Sequence, residues 1–79
     1  MPKQVKPKDL IKIIEKIGFQ EVRICGSHHR FVHSDGRRTT IPLHSKESIG
    51  VGLLNKVVKK DLKITKEEFE ELLNQLILI

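Results

Sequence analysis

Cys25-Gly26-Ser27-His28-His29-Arg30-Phe31-Val32-His33-Ser34-Asp35-Gly36-Arg37-Arg38-Thr39-Thr40-Ile41-Pro42-Leu43 is the stretch whose reading decides the fold. Asp35-Gly36 is a strong hairpin signal, because both central residues of a tight two-residue turn must tolerate positive φ. Residues 28–33 on one side and 37–43 on the other are therefore predicted strands. Thr39, Thr40 and Ile41 give the second of these its β-branched side chains, and Pro42 marks its end or an exposed edge. Gly26-Ser27 interrupts the chain as an earlier turn. Before it, in residues 19–25, Val22 and Ile24 alternate with Glu21 and Arg23, the period of two of a half-buried strand. Three short strands joined by tight turns make an antiparallel meander.

Helices are predicted on both sides of the meander. In residues 8–17, Leu10, Ile13, Ile14 and Ile17 fall on one stripe, and Gly18 follows where a helix commonly ends in the left-handed conformation. Residues 44–50 read as a polar loop. Residues 51–61 form a second helix with Leu54, Val57 and Val58 inward and Asn55, Lys56, Lys59 and Lys60 outward. Thr65 and Glu68 form a capping box that opens a C-terminal helix over 65–79, with Phe69, Leu72, Leu73, Leu76 and Ile77 at helical spacing. The last four residues are too apolar for a free tail, so they pack on the domain or on a neighbour, the latter making a homo-oligomer through this helix. Residues 1–7 carry two prolines and two lysines with little to bury, and read as a flexible arm. The expectation is one domain over 1–79. Its fold class is α+β, a two-layer α-β-β-β-α sandwich with an extra C-terminal helix. That order resembles double-stranded-RNA-binding domains, which grip RNA by shape and backbone contacts.

Composition narrows the function classes. A 79-residue chain with 38% hydrophobic and 32% charged residues suits a small water-soluble globule. The basic N-terminus has no apolar run behind it, so no signal peptide is expected. No stretch approaches the ~20 apolar residues of a membrane helix. One cysteine cannot close an internal disulfide, and the expected location is the cytoplasm. The net charge of +5 is unevenly spread: residues 22–60 hold eight basic residues against two acids. A basic centre is the footprint of a polyanion partner, since lysine and arginine at phosphates release condensed counterions. A merely solvated basic face would look the same in composition.

Strand alternation sorts the candidate chemistry. With Phe31 inward, His29 and His33 share its side, and His28, Arg30 and Val32 take the other. With Ile41 and Leu43 inward, Thr40, Pro42 and His44 face outward. His28, Arg30 and His44 therefore share the exposed face. A histidine titrates close to neutral pH and can give or take a proton there. Arginine and lysine stabilise charge building on phosphorus oxygens. Together they suit cleavage of an RNA phosphodiester by its own 2′-hydroxyl. The plain alternative for His28 is an ordinary polar strand residue, and for His29 and His33 packing or strand-end solvation. Cys25, His28, His33 and His44 are also potential zinc ligands, but alternation puts His28 and His33 on opposite faces. There is no paired CxxC, HExxH, P-loop or GxGxxG, and no metal or cofactor is expected. Cys25 has no base beside it and reads as a small buried residue.

Four motifs in this order form a further pattern: Gly26-Ser27-His28-His29, Asp35-Gly36-Arg37-Arg38, Ile41-Pro42-Leu43-His44, and Gly52-Leu53-Leu54 opening a basic helix. The pattern resembles the HicA (YcfA-like) toxins of bacterial toxin–antitoxin pairs, over residues 8–71. The resemblance implies an mRNA interferase, an endoribonuclease that needs no metal, and a HicB-type antitoxin partner covering the active face. The family's catalytic histidine follows its Gly-Ser pair and matches His28; some members carry it one place later, which keeps His29 in reserve. RNA contacts are then expected from Ser27, Arg30, Arg37, Arg38, His44, Lys46, Lys56, Lys59 and Lys60. Leu53 departs from the family's usual threonine or serine, and Lys63 from its usual glycine, a position where a left-handed conformation costs a lysine about 1 kcal/mol. The rival readings are a non-catalytic RNA-binding module of the same fold and an interaction domain working through its apolar C-terminal helix.

Overall fold

Three of the four apolar stripe positions of the first helix, Leu10, Ile13 and Ile14, are buried in the computed structural model, which describes residues 4–43 and 48–77. The helix is α1 (Pro7–Ile17), with proline in its first turn, where the missing N–H costs nothing. Gly18 ends it at φ 119°. The closing hydrogen bonds run from Gly18 N to Glu15 O and from Phe19 N to Ile14 O, each 3.0 Å. Gly18 is required twice over, because a Cβ there would lie 2.9 Å from Nε2 of His33.

The predicted meander is β2 (Gln20–Cys25), β3 (His28–Val32) and β4 (Arg38–Pro42), antiparallel in the order β2-β3-β4. Phe31 and Ile41 are fully buried on its inner face, against α1 and the later helices. The Asp35-Gly36 turn is held from within. Gly36 N donates to His33 O, and Asp35 accepts from the Arg37 backbone N–H at 3.0 Å and from Arg37 Nε at 2.7 Å. His33 completes the corner. Its Nε2–H donates to Ile17 O at 3.3 Å, its Nδ1 accepts from Asp35 N at 3.1 Å, and its ring meets Phe19 edge-on at 5.1 Å.

Two elements differ from expectation. Residues 4 and 5, read as part of a flexible arm, form β1 (Gln4–Val5), which pairs antiparallel with β5 (Ile49–Gly50). The cause is apolar: Val5 and Ile49 are direct partners, and both are buried in the core. The second helix is not regular along its length. α2 (Val51–Lys56) runs directly into a π-helical turn, Val57–Asp61, in which Leu62 N donates to Val57 O at 2.8 Å. Leu54, Val57 and Val58 are nevertheless buried, as the stripe predicted.

Lys63 takes φ 56°, the left-handed conformation anticipated for the turn after this helix. α3 (Lys66–Ile77) then starts from the capping box. Glu68 N donates to Thr65 Oγ1 at 3.0 Å, and Thr65 N to Glu68 Oε1 at 3.2 Å. Phe69 is fully buried, while Leu72, Leu73 and Leu76 pack on the core with part of their surface exposed. Lys16 Nζ donates to Gln75 Oε1 at 2.9 Å, tying α3 to α1. The architecture is thus α+β, an α-β-β-β-α layer with an added C-terminal helix.

Candidate nucleic-acid interface

The outer face of the sheet is laid out in cross-strand rows, because directly paired residues point the same way. Cys25, His28 and Pro42 form one row; Arg23, Arg30 and Thr40 form the next; Gln20, Val32 and Arg38 form the third. His28, Arg30, Arg38 and Thr40 are exposed. His28 and Arg30 are two positions apart on β3, about 6.8 Å at ~3.4 Å per residue. Ser27, half-buried in the turn before His28, accepts through its carbonyl from Leu43 N at 2.7 Å, which pins the end of β4 beside that turn.

An open groove runs from this face toward the second helix, lined by Arg30, Arg38, Thr39, Thr40, Lys56 and Asp61. The π turn explains why Asp61 is there. On a regular α-helix, residues five apart point about 140° away from each other. The extra residue in the turn brings Asp61 round beneath Lys56, with Nζ and Oδ2 3.7 Å apart. Asp61 Oδ2 also accepts from the hydroxyl of buried Thr39 at 3.0 Å, joining the helix end to β4. Lys59 and Lys60 lie on the same turn and are exposed.

His29 points the other way, with Ile41 and Phe31, and its Nδ1–H donates to Glu21 Oε2 at 2.8 Å. The two histidine candidates are therefore on opposite faces. His33 is also on the helix side, so among the described residues Cys25, His28 and His33 do not converge. His44 and Lys46 fall outside the described residues.

Two sequence expectations fail here, and both concern β2. Val22 and Ile24 were predicted to be half-buried, and Cys25 fully so. Instead Val22 is 58% and Ile24 57% exposed, and Cys25 is exposed too. β2 is an edge strand, and it carries a bulge: Glu21 pairs with Phe31, yet Arg23 rather than Val22 pairs with Arg30. Val22 is the extra residue, so the simple alternation of residues 19–25 breaks at that point. Arg37, expected among the RNA contacts, has partners within the protein. Its guanidinium donates through Nε to Asp35 and through Nη1 to the carbonyl of Leu62, and it lies 5.3 Å over the Phe19 ring. It braces the turn against the second helix. The neighbouring Arg38, one residue on, is exposed.

Arg37 and His33 also act on Asp35. The backbone N–H of Arg37 acts most strongly on the Asp35 carboxyl and, helped by the Arg37 guanidinium and lastly His33, holds it below its ordinary range against desolvation, the second-largest effect.

Among the described residues, no helix is long and apolar enough to cross a membrane. The family model described as the HicA toxin of bacterial toxin–antitoxin systems matches residues 7–64, from the start of α1 to the turn before α3. No curated protein matches the chain. α3 lies beyond the family match, while every described outer-face residue and the basic groove lie within it. Members of that family are toxins of toxin–antitoxin pairs, generally ribonucleases, with an RNA substrate and an antitoxin partner. A match over most of the chain, on the fold and basic face just described, means that this protein belongs to the HicA toxin family.

Proposed function

We propose that the chain is a metal-independent endoribonuclease that cleaves mRNA in the cytoplasm, with His28 as its general acid–base and a HicB-type antitoxin as its inhibitor. The observation that carries this reading is the position of His28 on the outer sheet face, one row from Arg30 and on the same face as Arg38. In the reaction the substrate's 2′-hydroxyl attacks the adjacent phosphorus and the bond to the 5′-oxygen breaks. The products are a 2′,3′-cyclic phosphate and a 5′-hydroxyl. His28 takes the proton from the attacking hydroxyl or gives one to the leaving oxygen. Exposed cations on its face, Arg30 and Arg38, with Lys56 across the groove, offset the charge that grows on the phosphorus oxygens. Lys59, Lys60 and Ser27 are further contacts to the RNA backbone. Since the reaction uses the RNA's own nucleophile, it has no step that calls for a metal-activated water.

A second arrangement is favoured by one observation. The Glu21–His29 hydrogen bond is the kind that orients a catalytic imidazole through Nδ1 and leaves Nε2 free to act as a base. His29, however, faces the helix layer, away from the cationic rows. His28→Ala should lower the cleavage rate about 10²–10⁴-fold with RNA affinity nearly intact, and His29→Ala by far less. The assay is end-labelled RNA with and without EDTA, with the product termini identified. If His29→Ala and Glu21→Gln are the inactive variants and His28→Ala is active, the assignment moves to the inner face. If chelator removes activity, metal independence is wrong. If pure protein binds RNA and cleaves none, the non-catalytic RNA-binding module stands.

A further inference from the structure

The bulge at Val22 brings two arginines into direct opposition. Arg23 and Arg30 are cross-strand partners on the outer face, both exposed. Among the described residues, neither shares an ion pair with a carboxylate. Like charges directly opposite across a sheet are destabilising. Val22 and Ile24, on the same edge strand, are each more than half exposed. Without the extra residue Val22 would sit opposite Arg30, and Arg23 would turn toward the inner face. A bulge that aligns two cations beside the His28 row has re-aimed Arg23 onto the face that carries His28.

Resting on the reading of this face as the RNA site, we propose that Arg23 and Arg30 form a clamp for an RNA phosphate next to the scissile one. Two adjacent guanidiniums present several N–H donors to the oxygens of one phosphodiester, and the bound anion cancels their mutual repulsion. The clamp lies one row from His28, about 6.8 Å along β3, so it holds the strand without touching the reacting atoms. Arg23 is thus a substrate-binding residue outside the predicted set. An acidic segment of a protein partner is the competing occupant, and phosphate is favoured because the pair continues the row of Thr40 and the groove of Arg38 and Lys56.

The test measures binding of a 2′-O-methylated single-stranded oligoribonucleotide, which cannot cleave itself, to the full chain over a range of salt. Wild-type protein is compared with Arg23→Gln, Arg30→Gln, the double variant and Lys56→Gln. Each arginine change should lower affinity about fivefold at 0.1 M salt, and the double variant should reduce the log–log salt slope by about 0.7, the share of one phosphate. The double variant should lose less than the product of the two single losses, since both arginines serve one phosphate. Arg23→Gln should also raise Tm without RNA, and in cleavage assays raise KM while leaving kcat within about twofold. If wild-type protein binds the oligonucleotide and Lys56→Gln weakens it, but Arg23→Gln changes neither affinity nor slope, the clamp is refuted while the RNA reading survives. Loss of antitoxin binding alone in Arg23→Gln refutes it in favour of a protein occupant. If wild-type protein shows no salt-dependent binding, the RNA reading itself fails.

Discussion

The two faces of the same three strands follow opposite rules. The inner face carries the core on β3 and β4: Phe31 and Ile41 are fully buried, and buried Thr39 donates its hydroxyl to Asp61. The outer face has cations, a histidine and a threonine in rows, each open to solvent. Alternation at one-residue spacing lets a strand serve both, so substitutions one position apart should differ in kind. Inner changes should act through shape and volume. Outer changes should act through charge, and therefore depend on salt.

The largest effect on stability should come from the inner face. Phe31→Ala leaves a cavity in the centre of the core and should cost about 3–5 kcal/mol, which a domain of this size barely withstands. Arg30→Ala, its immediate neighbour, should stay within about 0.5 kcal/mol. Urea denaturation of the two variants checks the pair, and equal losses would break the two-face picture. At the margin of the inner face, Gly18→Ala should cost about 1–2 kcal/mol, from the left-handed backbone and from the push against His33. A shift in Tm reads this, with the Glu15→Ala variant as a helix control.

Smaller effects sharpen the rim between the layers. Lys63→Gly relieves the one described non-glycine residue at positive φ and should stabilise the fold by about 0.5–1 kcal/mol. A lower Tm would mean that the lysine side chain does more than tolerate its backbone. Acid should loosen the Asp35-Gly36 turn modestly. The Asp35 carboxyl titrates below its ordinary value in the folded protein. Its contribution is therefore complete above that value and is lost as pH falls through the lower folded one. In Asp35→Asn, the Tm difference from wild type should shrink as pH drops below about 4. A difference that is constant with pH would show that the turn depends on the side chain's hydrogen bonds and not on its charge.

Much of the molecule was legible as local pattern. The stripe of α1, the Asp35-Gly36 turn and the Thr65–Glu68 capping box each involve residues within one or two helical turns or one hairpin, so spacing alone specifies them. The division of β3 and β4 into faces was legible for the same reason: one well-chosen inward residue, Phe31, orients a whole strand. This is why alternation alone separates His28 from His29. Family resemblance then added what the pattern lacked, the choice of His28 over an ordinary polar strand residue.

What only the tertiary structure decided has a common cause, which is that it depends on a partner far along the chain. Whether β2 is half-buried depends on what covers it, and as an edge strand it leaves Val22, Ile24 and Cys25 in solvent. Whether Val5 belongs to an arm or a strand depends on Ile49. Arg37 and Arg38 read alike in sequence, yet one braces Leu62 and Phe19 and the other stays exposed. The bulge is the clearest case. An extra residue exists only relative to the strand it faces, so nothing in residues 19–25 alone could show that Arg23, and not Val22, meets Arg30. Sequence by itself determined the main helices, the three strands of the meander and which way the central strand faces, because those follow from periodicity and turn residues. The pairing of strands determined which charges stand side by side, because that is set by the register between distant segments.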